Sequence, residues 1–261
     1  VIVGILSALG GMIITSHMEG YGDMRRRAEL VDSAESALRR MQRDIRAALP
    51  NSVEPFEGNQ AVSFLHTSDG GRYRSRTPGN ILHFDQSDNA TDMIGRLYKS
   101  NATTTNSSIS VYNTGQSPAN AYNGTNITPI TNVTNGTNGS DRIEFQSIQF
   151  PYSSPYQRFF VVDSQVCYVL SGDELIRYER DSRATLPDNE FPDDNDITAP
   201  NNLTSSDWKN GALLARHVKN ATFTYHPGTP SRSGLMTLKL TLEDEGERVS
   251  LLHQVHVLNF P

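Results

Sequence analysis

The sequence predicts an α+β chain, a long N-terminal helix packed on an antiparallel β-sheet head. Two observations carry that expectation. An apolar and then amphipathic stretch runs without proline as far as Pro50, and short alternating segments follow it. They divide the 261 residues into a helix at 1–50 and a β-rich head at 51–261.

Residues 1–14 carry no charge, and Val1, Ile2, Val3, Ile5, Leu6, Leu9, Met12, Ile13 and Ile14 make them strongly apolar. The run is shorter than the roughly 20 residues needed to cross a bilayer. It lacks the basic flank and small-residue cleavage site of a signal peptide. Gly4, Gly10 and Gly11 weaken a soluble helix by about 1 kcal/mol each relative to alanine, whereas small residues suit packing between membrane helices. The expected reading is the C-terminal part of a membrane helix whose first turns lie upstream. A buried core helix is the alternative.

From Glu19 onward acids and arginines nearly balance, and an apolar stripe runs through them at Val31, Ala34, Leu38, Met41, Ile45 and Ala48. Steps of three and four place these side chains on one helical face, the face expected to hold the helix to the head. Asp23 with Arg27 and Glu35 with Arg39 are acid-first pairs four apart, the favourable order on a helix surface. Gly20 and Gly22 predict a bend. At about 1.5 Å per residue, such a helix is roughly 70 Å long.

After Pro50 the sequence predicts strands at 61–66, 81–85, 108–113, 142–149, 159–170, 174–179, 221–226, 234–242 and 248–257. Leu238, Leu240 and Leu242 alternate with Lys239 and Thr241, as on a strand with one buried face. The last two segments form a hairpin with an acidic tip containing Gly246. The stretch 99–140, rich in Asn, Thr, Ser and Gly, is expected to form long exposed loops, because little of it can be buried. Its Asn-x-Ser/Thr triplets follow from that composition. A second excursion, 187–207, is acidic and contains proline.

Composition narrows the function. A net charge of −6 opposes a nucleic-acid partner, since phosphate binding needs a basic field. One cysteine, Cys167, rules out an internal disulfide, and its apolar neighbours predict a buried, inert thiol. His253 and His256 stand three apart in a predicted strand, so they point to opposite faces and make a poor metal pair. There is no phosphate-binding Gly-rich loop, no Gly-x-Ser-x-Gly elbow and no paired-cysteine motif. No catalytic residue and no cofactor are therefore expected, and a non-enzymatic role is. Asp193, Asp194 and Asp196 offer hard oxygen ligands of the kind calcium prefers. Their spacing fits no EF-hand loop, so a solvated acidic loop is the first reading and calcium the second.

The segment VIVGILSALGGMIITSHMEGYGDM at 1–24 resembles the later part of the type IV pilin N-terminal helix, with its Gly4-Ile5-Leu6 step. RAALPNSV at 46–53, RFFVVD at 158–163 and VSLLHQVHVLNFP at 249–261 are similar to the MshO-like branch of MSHA pilus proteins. These resemblances span most of the chain but not the Asn/Thr tract or the acidic excursion. They imply a structural minor pilin that acts in filament assembly or initiation at or near the tip. The implied partners are other pilin or pseudopilin subunits, met through the N-terminal helix, and the inner membrane before assembly. The implied location is the bacterial inner membrane with a periplasmic head, then the surface filament. A minor pseudopilin of type II secretion uses the same subunit plan. A tip adhesin, with the polar loops contacting a surface ligand, is the reading from another class. Many pilins close their C-terminal region with a disulfide, and Cys167 alone departs from that pattern.

Overall fold

The computed structural model describes residues 2–98, 107–181, 208–228 and 233–257, with side chains described throughout except at 2–19, 57, 181 and 208–210. One helix, α1 (Ile2–Arg46), leads into twelve strands. The strands are β1 (Glu54–Phe56), β2 (Ala61–Arg72), β3 (Asp88–Asp92), β4 (Ser108–Ser110), β5 (Ile127–Asn135) and β6 (Asp141–Ile148), followed by β7 (Arg158–Ser171), β8 (Glu174–Asp181), β9 (Trp208–Ala215), β10 (Val218–His226), β11 (Gly234–Asp244) and β12 (Glu247–Val257). Nine of them form one antiparallel sheet, and β10-β11-β12 form a second.

This corrects the α+β expectation. Among the described residues the fold is mostly β, with a single helix and two antiparallel sheets. The alternation rule found the strands with one apolar face and overlooked those built from polar residues. β3 (DNATD) has low intrinsic strand propensity, whereas β5 (ITPITNVTN) is rich in β-branched residues but sits in a polar tract and is broken by Pro129 and Asn132. Cross-strand pairing to β6 holds both in place, and packing outweighs propensity in sheets. β4 falls within the strand expected at 108–113, but β5 overturns the expectation of exposed loops over the rest of the described part of 99–140. Ile109, Ile127, Ile130 and Val133 are buried, so a few apolar residues spaced through a polar tract suffice to seat it. The reverse error occurs at 81–85, which forms no strand; Leu82 is nevertheless buried, and its N–H reaches the carbonyl of Arg74 at 3.0 Å. Nor does α1 break at Gly20 and Gly22. It stays α-helical through both, since a glycine permits a bend without forcing one.

The large sheet turns on β7, fourteen residues long. Along one side β7 pairs with β2 from Arg158 to Val169. Along its other side it pairs first with β4, at Phe160 to Val162, and then with β8, from Ser164 to Ser171. The sheet therefore forks near Asp163. Ahead of the fork Phe159 and Val161 enter a core with β5 and β6, formed around Ile130, Ile143 and Phe145. Beyond it Val166 and Tyr168 enter the core that receives the helix, while Cys167 and Val169 pack on the opposite face. A strand covered on both faces carries continuous apolar runs instead of strict alternation, and β7 has two, at 159–162 and 166–170, separated at the fork by Asp163, Ser164 and Gln165. Cys167 is fully buried, and that burial pushes its thiol far above the ordinary range.

The hairpin closes as its sequence predicts. Asp244 pairs with Glu247, and the two turn residues, Glu245 and Gly246, both adopt positive φ, 44° and 90°. This is the primed-turn geometry that suits the right-handed twist of a hairpin, and glycine adopts it without steric cost.

In the core ahead of the fork, Asp92 is fully buried on β3. It accepts hydrogen bonds from Arg142 Nε and Thr137 Oγ1, each at 2.7 Å, and from Thr137 N–H at 3.1 Å. Burial alone raises this carboxyl, but the donors outweigh it and pull it down to about 2. A carboxyl depressed in the folded state contributes stability that is present above its unfolded value, near 4. That contribution disappears as pH falls through the folded value. The wild-type chain should therefore lose about 2 kcal/mol from this group between pH 4 and pH 2. Urea melts of Asp92→Asn across that window should be flatter by about this amount, and parallel curves for both proteins would contradict the assignment.

Candidate functional site

The surface singled out by sequence is the helix, and the structure divides it in two. Ala34, Leu38, Met41 and Ile45 are buried, and Val31 packs half-buried beside them. Their neighbours are Val62 and Phe64 of β2, Val166 and Tyr168 of β7, and Leu238, Leu240, Val249 and Val255 of the three-stranded sheet. The helix thus lies between two sheets and helps to cover both. Leu30 and Ala37 also belong to this face, at 5% and 1% exposure, although the sequence reading left them out. Leu30 extends the stripe one turn upstream of Ala34, and Ala37 sits one turn ahead of Met41; the same periodicity could have found both.

From Gly20 to Glu29 no side chain is buried, and Tyr21 and Met24 stand 70% and 67% exposed. Among the described side chains, the ties furthest toward the N-terminus run to the hairpin tip. Arg26 Nη1 lies 2.6 Å from Glu245 Oε2, and Arg27 Nη1 lies 3.7 Å from Glu247 Oε2. Asp23 pairs with Arg26, three residues on, at 2.7 Å instead of with Arg27, so Arg26 joins Asp23 to the acidic tip. Glu35 and Arg39 pair within the helix. Such exposed pairs contribute little each, but together they mark where the head ends along α1.

Ile2, Val3, Ile5, Leu6, Leu9, Met12, Ile13 and Ile14 lie in α1, outside the residues whose side chains are described; Val1 lies outside the described residues altogether. No helix among the described residues is long and apolar enough to cross a membrane. Asp193, Asp194 and Asp196 also lie outside the described residues. Within those residues, no group of three or more His, Cys, Asp or Glu side chains could hold a metal ion. On β12, His253 is half-buried and His256 exposed, on opposite faces of the strand.

One polar group interrupts the buried helix face. Asp44 is 7% exposed. Its Oδ2 accepts from the Tyr168 hydroxyl at 2.7 Å and from Arg177 Nε at 2.9 Å, with Arg40 Nε at 3.5 Å. Arg177 also donates to Glu179 at 2.6 Å. Burial raises the Asp44 carboxyl, but the bonds from Tyr168 and Arg177 leave it below the ordinary range. Burial next to this carboxylate drives the Tyr168 hydroxyl far up, so it stays a donor. One carboxylate thus ties α1 to β7 and β8 at a fixed rotation and height. Sequence gave no signal for it, since its partners lie more than a hundred residues away.

No family model matches the chain, and no curated protein or solved structure matches it.

Two expectations follow from the geometry. Leu38→Asp buries an unpaired carboxylate between two apolar sheets, where even removing the side chain costs about 2–5 kcal/mol. Its melting temperature should drop sharply, and an unchanged value would refute the packing described. Asp44→Ala leaves Arg177 with Glu179 alone and should cost about 3 kcal/mol. In that background Tyr168→Phe should cost at least about 1 kcal/mol less than it does in the wild type. Additive effects in this double-mutant cycle would mean that the two groups act independently.

Proposed function

We propose that this chain is a structural minor pilin of an MSHA-like type IV pilus, non-enzymatic, acting in filament assembly or initiation at or near the tip. One observation carries the reading: α1 is much longer than the buried face formed by its described side chains. Its 45 residues correspond to about 68 Å, while among the described side chains, which start at Gly20, the buried ones begin at Leu30. The helical stretch Ile2–Glu29 accounts for about 42 Å of that length. A helix that anchors a head by its second half, and whose first half is apolar and rich in small residues in sequence, suits transfer from lipid into a bundle of like helices. Both environments accept the same apolar surface, and glycines permit close approach.

The segments at 1–24, 46–53, 158–163 and 249–261 support the same reading by resemblance. On this reading the head faces the periplasm while the helix sits in the inner membrane, and both later enter the surface filament. The partners are then other pilin subunits, met along α1.

Deleting the gene in the source organism should reduce or abolish sheared surface filaments, with sparse, end-localised immunogold label in the wild type. Normal filaments without label would overturn the pilus reading, and an accompanying defect in protein secretion would assign the subunit to a pseudopilus instead.

A further inference from the structure

β9 is an edge strand. It pairs with β8 alone, so among the described residues its other side offers unpaired backbone groups. Between this edge and α1 run two adjoining open clefts, of about 560 and 380 Å³, which share Leu213 and Leu214 as lining. The second is lined on the helix side by Arg39, Arg40 and Arg43 with Ser36 and Ala37, and among the described residues no acidic side chain borders it.

The arginines are unequally satisfied. Arg39 is paired with Glu35. Arg40 shares Asp44 with Tyr168 and Arg177, at the long distance of 3.5 Å. Arg43 is exposed and has no acidic partner among the described residues. Leu213 beside them is 45% exposed. The first cleft also carries Glu29 and Asp244, so in a chain of net charge −6 it is the second that forms a cationic groove with an apolar side beside an open strand edge.

We propose that this groove docks an extended, acidic, strand-forming peptide segment of a partner protein. The segment adds to the open edge of β9. Main-chain hydrogen bonds to an exposed strand provide affinity, and alternate side chains provide selectivity. Along such a segment every second side chain faces the same way, so alternating carboxylates meet Arg40 and Arg43 while the backbone runs past Leu213. Negative charge on the incoming strand also answers the local cation excess, which speeds and orients docking. The proposal goes beyond the filament reading and does not rest on it, because it concerns the head-proximal half of α1 and an edge of the sheet.

The test uses the full chain and a fluorescein-labelled heptapeptide alternating glutamate with valine, titrated by fluorescence anisotropy at low ionic strength. Saturable binding is expected, weakened at least about tenfold by Arg43→Glu and strongly reduced by added salt. A lysine–valine peptide should not bind, and a version with proline at the central position should bind at least about tenfold more weakly, since proline cannot complete the ladder. Arg43 is exposed, so its variant should keep the wild-type melting temperature. Absence of saturable binding, equal binding by R43E, or equal binding of the proline peptide would each overturn the proposal. So would a dimer in sedimentation that R43E abolishes, which would make a second copy of this chain the occupant. None of these outcomes touches the deletion experiment above.

Discussion

The fold depends on burying one face of α1 from two sides. Leu38, Met41 and Ile45 meet the three-stranded sheet on one side and β2, β7 and β8 on the other. Each such side chain is worth about 1.5–3 kcal/mol when buried, and the sheet residues facing it gain cover at the same time. Without the helix, Phe64, Val166, Leu238 and Leu240 would lose that shared apolar cover. The head is thus not a finished domain to which a helix has been added; the second half of α1 is one of its layers.

Apolar packing alone would tolerate the helix sliding by a turn, because a stripe repeating at three and four residues fits its groove again after about 5.4 Å. The carboxylate of Asp44 removes that freedom. Its partners come from β7 and β8, and a shift of one turn would leave the carboxylate buried without them, a penalty of several kcal/mol. The same β7 that carries Tyr168 into this contact carries Phe159 and Val161 into the other core. The position of the helix is therefore linked by one continuous strand to the far lobe, so forces applied along α1 reach the whole head through covalent and ladder bonds.

What could be read from sequence was what repeats locally. The stripe on α1 and the hairpin of β11 and β12 were legible because their periods persist over many residues and their turn needs Gly246. Strands β3 and β9 were not, because their residues are mostly polar or small and only their neighbours make them strands; β5 was not, because its Ile, Val and Thr are mixed with Asn and Pro in a polar tract. Nor was Asp44 legible, since a single acid on an apolar helix face gains meaning only from Tyr168 and Arg177. The groove along β9 is likewise invisible locally: Arg43 reads as one more surface charge until the fold sets Leu213 beside it.

The distribution of charge along α1 then separates two kinds of surface. Toward the N-terminal side of the buried face, Arg25 pairs with Glu29 and Asp23 with Arg26. Arg26 and Arg27 also reach Glu245 and Glu247 of the hairpin tip, so charges there are answered by the helix and the head together. The pairs within the helix add a few tenths of a kcal/mol each to helicity, which offsets part of the cost of Gly20 and Gly22 and keeps the spacer helical where it has left the core. A surface that satisfies its own charges discriminates poorly between partners. Around Arg40 and Arg43 the opposite holds, because the nearest acid, Asp44, is already engaged by two donors from the sheet. The interaction that locks the helix into the head is therefore also what leaves the neighbouring arginines in want of negative charge, and it ties selectivity for an outside partner to the correctly assembled fold.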